Sequence, residues 1–403
     1  MKQTRVALLA LLWAVTPAWA HHGISNWDLN TDLSITGTLT KIDLINPHAW
    51  LYLDVKGAGG KVEDWRCEMR SNNALRRSGW TRELFTVGST ITVTGSPERY
   101  KPRHCYLSTI QFADGSRMDR YGQRQLAGAA AAAAPRARAL RTPDGHPNLA
   151  GEWAAEQLVM SDPRGQSGTL VPLSDAARMK PGDVPTGQRA FPGARGTPES
   201  LASDPVRAAW DRPIPLQLTD TARRALQRFN PASQDNPRLR CEPTSIVFDW
   251  TFDSVVNRIT QSPSRIVLQY GHMDLQREIL LDQKSLPAKL KPSRAGHSRG
   301  RWDGDVLVVE TSGFLPGVLN ANLRLLHGAQ LQVTERFSLD ATGTRLTRRY
   351  EARDPEYFAD VWRGEDGVMQ ADVPYAPYAC KDPAGAPAAR NAGGKAIYDA
   401  IQH

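Results

Sequence analysis

Two groups of residues have the types and spacing that chemistry needs. The first lies at the start of the chain, where Ala18-Trp19-Ala20 precedes His21 and His22. Cleavage after Ala20 would make His21 the first residue, with an α-amine and an imidazole that chelate one metal together. His22 and His48 are candidate further ligands, and a nitrogen-rich set of this kind suits Cu(II). His48 falls between two predicted strands, where a barrel end brings it toward the N-terminus, and His104 immediately precedes Cys105. The competing reading makes His21-His22 a terminal tag and packs His48 in a turn beside Pro47.

The second group lies near the C-terminus. Alternation along Leu331, Val333, Glu335 and Phe337 puts a carboxylate on an apolar strand face, and Val306, Val308 and Glu310 share a face in the same way. A buried carboxylate is costly unless it is paired or protonated. Arg348, on one face with Leu346 and Tyr350, is the candidate partner, and His297 and His327 fall in loops flanking the strand that starts at Asp305. Brought together, these groups make a general acid/base site in a barrel mouth. Kept apart, they are a structural Glu-Arg pair with surface histidines. The chain holds no nucleophile elbow, phosphate loop, HExxH or dinucleotide fingerprint.

The elements that position these residues begin with residues 1–20, which read as a secretory signal peptide. Lys2 and Arg5 make a basic start, Val6 to Val15 an apolar run, and Ala18-Trp19-Ala20 a cleavage site. The apolar run is shorter than the roughly 20 residues a bilayer span needs, and no later segment is long enough. The expected location is the periplasm or the outside of the cell. Export makes disulfides the natural use of four cysteines without CxxC spacing. Cys67 and Cys105 precede a low-complexity stretch and Cys241 and Cys380 follow it, so the simplest pairing is Cys67–Cys105 and Cys241–Cys380. The formal charge of +8 includes Lys2 and Arg5, and the arginines are spread rather than clustered. That pattern fits a solvated surface and not a nucleic-acid partner.

Residues 126–141, rich in Ala, Pro and Arg, read as a linker. They divide a first domain, 21–125, from a second, 142–390, with a Pro/Gly/Ser/Arg-rich irregular segment at 161–215 and a tail at 391–403. In the first domain, alternation predicts strands over Leu33–Asp43, Ala49–Val55 and Val62–Met69, a helix over Asn72–Ser78, then strands over Thr90–Thr94 and Cys105–Phe112. Three strands, a helix and two strands is the order of the OB-like five-stranded barrel. In the second domain a helix is predicted over Thr219–Phe229. Strands follow at Arg265–Gly271, Leu275–Leu281, Asp305–Thr311, Leu331–Leu339 and Thr344–Arg353, many joined by Gly turns. The fold class is therefore mainly β, with the OB-like barrel followed by a larger antiparallel domain. Its Gly151-Glu152-Trp153 start suggests a lipocalin-like barrel.

The stretches HHGISNWD, ITGTLTKIDLINPHAWLYLDVK and NNALRRSGWTRELFTVGSTITVTG carry a likeness. Residues 21–120 resemble a family of small exported bacterial proteins with a histidine-rich mature start and an INPHAW motif, to which no activity is attached. Residues 142–382 resemble a second uncharacterised exported group, through TPDGHPNLAGEW, GHSRGRWDGDVLVVETSGF, TERF, RDP and a late Tyr-x-Cys. Both resemblances imply an architecture and no reaction.

Three function classes follow. The leading one is an exported protein binding a small-molecule ligand in its β domains. The second is an enzyme, either copper-dependent through His21 or acid/base through Glu335. The third is an envelope structural or assembly protein. A large pocket lined by Glu335, Arg348 and His297 favours the first two, and a closed, filled barrel favours the third.

Overall fold

The computed structural model describes residues 27–28, 31–99, 101–121, 138–160, 170–173, 214, 216–230, 235–281, 291–321 and 324–381. The expected signal peptide, His21 and His22, most of the linker and of the 161–215 segment, and the tail lie outside these residues.

The first unit is the expected small barrel. Strands β1 (Leu33–Asp43), β2 (Trp50–Lys56) and β3 (Val62–Glu68) form a meander, helix α1 (Asn72–Arg77) follows, and β4 (Thr90–Pro97) and β5 (His104–Gln111) complete it. β1 pairs with both β2 and β4, β4 pairs with β5, and β5 returns to pair in parallel with β3, which closes five strands into a ring. A short β6 (Arg117–Asp119) extends the sheet beside β5. In β1, Ile35 and Leu39 point inward, and a register shift between Leu39 and Lys41 then turns Ile42 inward instead of Lys41. A bulge of this kind changes the phase of alternation and lets one long strand bend around the barrel. The α1 N-cap is Ser71, whose hydroxyl accepts from the Ala74 amide at 3.3 Å, and Arg76 and Arg77 occupy the last turn. Cys67 and Cys105 are opposed in the β3–β5 pair and joined by a disulfide, so the covalent link sits on the closing seam.

The second unit opens with β7 (Gly151–Ala154) and a ribbon of β8 (Leu158–Met160) with β9 (Leu170–Pro172). Helix α2 (Asp220–Arg228) follows, capped by Thr219, with Ala222 and Ala225 buried. Next come β10 (Val256–Ser262), β11 (Arg265–Gln269), β12 (Gln276–Leu281), β13 (His297–Asp303) and β14 (Val306–Ser312). A second ribbon joins β15 (Gly317–Asn320) to β16 (Leu325–His327), and β17 (Gln332–Leu339), β18 (Arg345–Arg353) and β19 (Trp362–Gln370) end the series. Nine of these strands, β7, β10–β14 and β17–β19, close into a barrel in which β7 joins β19 to β10. The expectation of a wholly antiparallel domain needs one correction, because β12 and β13 pair in parallel. A parallel neighbour requires a crossover instead of a tight turn, and the sequence between Leu281 and His297 is long enough for one. Cys241 and Cys380 form the second disulfide.

The barrel is filled. Trp153, Trp250, Tyr270, Phe337 and Val309 are all buried in one continuous core. The segment between α2 and β10 packs into it, with Trp250 edge-on to Tyr270 at 5.4 Å and to Phe337 at 6.1 Å.

The two barrels also meet through polar groups. Arg70 bonds Asp253 at 2.8 Å, the Ser71 hydroxyl donates to the same carboxylate at 2.8 Å, and the Ser78 hydroxyl donates to Gln157 at 3.0 Å.

Candidate functional site

The inward faces of the larger barrel carry a charged ladder. Glu335, on β17 between Val333 and Phe337, receives Arg277 from β12 on one oxygen and Arg348 from β18 at 3.2 Å on the other. The Arg277 Nε donates to the Ser298 hydroxyl at 2.9 Å and its Nη2 to the Thr311 hydroxyl at 2.7 Å. Arg348 reaches Asp366 through Nε at 3.0 Å and donates to the Ile246 and Val247 carbonyls, each at 2.9 Å. Burial works against the Arg348 charge, and the Asp366 and Glu335 carboxylates outweigh it, holding the guanidinium above its ordinary value. Burial likewise pushes the Tyr270 hydroxyl up to about 12. Two guanidinium groups face two carboxylates, so the set is neutral and hydrogen-bonded, which is the condition for keeping ions inside a fold.

The structure thus brings Glu335 and Arg348 together, but not the other members of the expected group. His297 precedes the inward Ser298, so alternation turns its ring out of the barrel, where it meets the Lys291 carbonyl at 2.7 Å. Glu310 precedes the inward Thr311 and pairs on the outside with Arg299. His327 ends the β15–β16 ribbon, buried against Phe314, with Nδ1 at 3.0 Å from the Gly328 carbonyl. Burial pushes it down to about 4.

A cleft of about 550 Å³ opens where three loops meet at the barrel's end. Its walls come from the end of β14 with Gly313, the start of β17 with residues 329–331 before it, and the end of β18 with residues 354–355 and 358–361 after it. Asp354 organises this corner. Its carboxylate accepts from the Gly328 amide at 2.6 Å and the Glu356 amide at 3.1 Å, and its carbonyl accepts from Tyr357 and Phe358. Burial wins over these amides and raises Asp354 to about 6. Pro355, Ala359 and Val361 supply apolar surface over the buried Leu331 and Phe358, while Arg353 and Asp360 bring opposite charges to the rim.

In the small barrel His48 pairs with Glu68 at 3.0 Å, and His104 pairs with Glu98 at 2.6 Å while accepting from Arg66 at 2.7 Å. Among the described residues no three His, Cys, Asp or Glu side chains gather as a metal set. Trp27 bridges to Glu98 and lies 5.7 Å from the Tyr106 ring.

A pair that the sequence reading did not single out lies at the seam between the barrels. The His272 Nδ1 lies 2.7 Å from Asp249, whose other oxygen accepts from the Thr244 and Ser245 amides, so the carboxylate also shapes the segment that enters the larger barrel. The ring packs on Phe252 at 4.4 Å and Tyr378 at 5.2 Å.

With this geometry in place, the comparisons locate one part of the chain. Residues 10–106 match a family of unknown function, DUF6152. No curated protein matches the chain. The DUF6152 match reaches from residue 10 into β5 and so covers the strands and helix of the small barrel up to the closing disulfide. It stops before the larger barrel. Among the described residues no helix is long and apolar enough to cross a membrane.

The sequence signal for Glu335 also applies to its missed partner. In Leu275–Leu281, alternation puts Arg277 on one face with Ile279 and Leu281, an arginine among apolar inward positions. Asp366 gave no such signal, because Gly364 and Gly367 surround it and β19 lacks apolar alternation.

Proposed function

We propose that this chain is an exported protein that binds a small molecule, seated in the loop-walled cleft at the end of the larger barrel and not in the barrel's interior. The observation that carries the reading is the cleft of about 550 Å³, a volume in the range of small-ligand sites. Its Pro355, Ala359 and Val361 surfaces suit an apolar portion of a ligand, and Arg353 and Asp360 suit its polar ends. Ser312-Gly313 and Arg353-Asp354-Pro355 come from the TSG and RDP stretches that carry the resemblance of the second half to an exported group. The signal-peptide pattern and two disulfides support export. The neutral, fully packed surroundings of Glu335 argue against an acid/base reaction there.

Ala359 lines the cleft, so Ala359→Trp fills it without touching the barrel core. A thermal-shift screen of small metabolites against the purified protein should yield a ligand whose stabilisation disappears in Ala359→Trp. A ligand that stabilises both proteins equally binds elsewhere and removes the cleft reading.

A copper site at the mature N-terminus is a second reading, favoured by the place of Trp27. Six residues of chain can span at most about 20 Å, and Trp27 lies beside Glu98, the partner of His104. A protein beginning at His21 should bind one Cu(II), and one extra residue before His21 should abolish the amine chelate while leaving the fold intact. Equal affinity and identical electron paramagnetic resonance spectra for both proteins refute it.

A further inference from the structure

After β19 the chain runs back over the small barrel as an extended strap, Asp372-Val373-Pro374-Tyr375-Ala376-Pro377-Tyr378-Ala379-Cys380-Lys381. Its composition is unusual, since Pro-Tyr-Ala occurs twice in succession. Proline fixes φ near −65° and removes an amide donor, so such a segment is extended in advance and offers mainly carbonyls for recognition.

The receiving surface belongs to the small barrel. Arg77 and Asn73 lie one helical turn apart on α1, and Asn46 lies in the β1–β2 loop. The Arg77 Nε donates to Asp372 at 2.8 Å, and the Asn73 Nδ2 donates to the Ala376 carbonyl at 3.2 Å. The Asn46 Nδ2 donates to the Tyr378 carbonyl, and the Asn46 carbonyl accepts from the Lys381 amide at 2.7 Å. The two asparagines hold each other, the Asn73 amide donating to the Asn46 side-chain oxygen at 3.1 Å, and both are more than nine-tenths buried. Tyrosines spaced three apart settle on the second barrel, with Arg258 4.7 Å from the Tyr375 ring and Tyr378 against His272. Asp274 caps the end by accepting from the Tyr378 and Ala379 amides.

We infer that Asn46, Asn73 and Arg77 form a recognition clamp for an extended Asp-x-Pro-Tyr-x-Pro-Tyr peptide, occupied in this protein by its own strap. Two buried side-chain amides that read main-chain carbonyls, beside a cation that reads an acidic side chain, are the parts of a peptide-binding site. All three clamp residues fall within residues 10–106, the stretch that matches DUF6152, and the strap falls outside it. The Asn46-Pro47-His48 portion of INPHAW thereby gains a role, with Asn46 as the central residue of the clamp. The clamp is independent of the cleft, which lies on other loops of the larger barrel.

The test uses the full chain. A protease site inserted between Gln370 and Ala371, with Cys241→Ala and Cys380→Ala, lets the strap be cut from the folded chain and removed, which empties the clamp. A labelled peptide of residues 371–381 with Cys380→Ser should then bind in trans by fluorescence anisotropy, and should not bind the native protein, whose clamp is filled. Adding Asn46→Ala to the released chain should weaken binding about tenfold, the effect of losing one hydrogen bond with a buried partner. No binding to a released chain that keeps its strand circular dichroism, or binding unaffected by Asn46→Ala, overturns the inference. Where the released chain does not fold, hydrogen exchange on the disulfide-intact Asn46→Ala and Asn73→Ala proteins decides. Amides of residues 376–381 should exchange about tenfold faster than in the native protein while the barrel strands are unchanged. Unchanged strap protection overturns it.

Discussion

The two barrels solve the same problem, a closed sheet whose inside must be filled, in opposite ways. The smaller encloses Leu39, Leu51, Leu53, Val93 and Leu107 and closes its β3–β5 seam with a disulfide. The larger encloses aromatic and aliphatic side chains and also places Arg277, Glu335 and Arg348 inside, with Arg348 held to the incoming segment at Ile246 and Val247. An apolar filling tolerates many shapes and gives little preference among them. A charged filling is satisfied in one arrangement only and is costly when any member is missing. The larger barrel therefore trades tolerance for a unique interior.

The strongest way to break this contrast is to unbalance the ladder. Glu335→Leu leaves Arg277 without its carboxylate and should cost about 3–5 kcal/mol in urea unfolding. Arg277→Met combined with Glu335→Leu leaves Arg348 with Asp366 and should cost clearly less than Glu335→Leu alone. If the double variant is as unstable as the sum of the singles, the ladder is not a coupled unit. An apolar exchange in the small barrel such as Leu53→Ala should also destabilise, by about 2–5 kcal/mol, but it has no compensating partner.

Legibility in the sequence divides along the same line. In the small barrel β1 was readable over Leu33–Asp43, β3 to within a residue of its end and α1 to within one residue, because apolar inward positions alternate with polar outward ones. In the larger barrel β10, β13 and β19 carry no such alternation. β10 carries Asn257 and β13 carries Ser298 and Gly300 among its inward or buried positions, and β19 has Gly364 and Gly367, so the apolar period is absent where the interior is polar or tightly approached. Glu335 and Arg348 stood out as charges among apolar neighbours. The cleft did not, because its walls are three loops whose convergence depends on barrel closure. The Asp249–His272 pair likewise depends on a segment entering the barrel from outside the sheet.

The disulfides sharpen the comparison at smaller magnitude. Cys67 and Cys105 are 38 residues apart, Cys241 and Cys380 139 apart. Loop-closure entropy makes the longer link the more stabilising, by about 1 kcal/mol out of a total of roughly 4–5 for each. Cys241→Ala/Cys380→Ala should therefore lower stability slightly more than Cys67→Ala/Cys105→Ala. The reverse order, measured by denaturant unfolding, would mean that the short link on the barrel seam does more than constrain the unfolded chain.

The smallest effect expected is a slope in the pH dependence of stability, and it arises at the loop end of the larger barrel. Asp354 and His327 are both buried and meet through Gly328, whose amide donates to Asp354 and whose carbonyl faces the His327 ring. Burial raises Asp354 to about 6, so the folded protein binds this proton more tightly than the unfolded chain does. Its contribution is complete below about pH 4 and is lost as pH rises through 6. Burial, helped by the Arg294 charge, lowers His327 to about 4, so there the unfolded chain binds the proton first. Its contribution is complete above about pH 6.5 and is lost as pH falls through 4. Over the shared window the two slopes have opposite signs and nearly cancel, which leaves this corner indifferent to pH while the native pair is present. Each single variant should uncover the other's slope, with a ceiling of about 1.4 kcal/mol per pH unit for one proton. Asp354→Asn should grow more stable from pH 4 to 6.5, and His327→Gln less stable over the same range. Denaturant midpoints of the two variants compared with the native chain at pH 4, 5 and 6.5 decide the matter. Parallel pH profiles for all three proteins would show that neither proton is linked to folding, and that the loops walling the cleft are held by Asp354's hydrogen bonds alone.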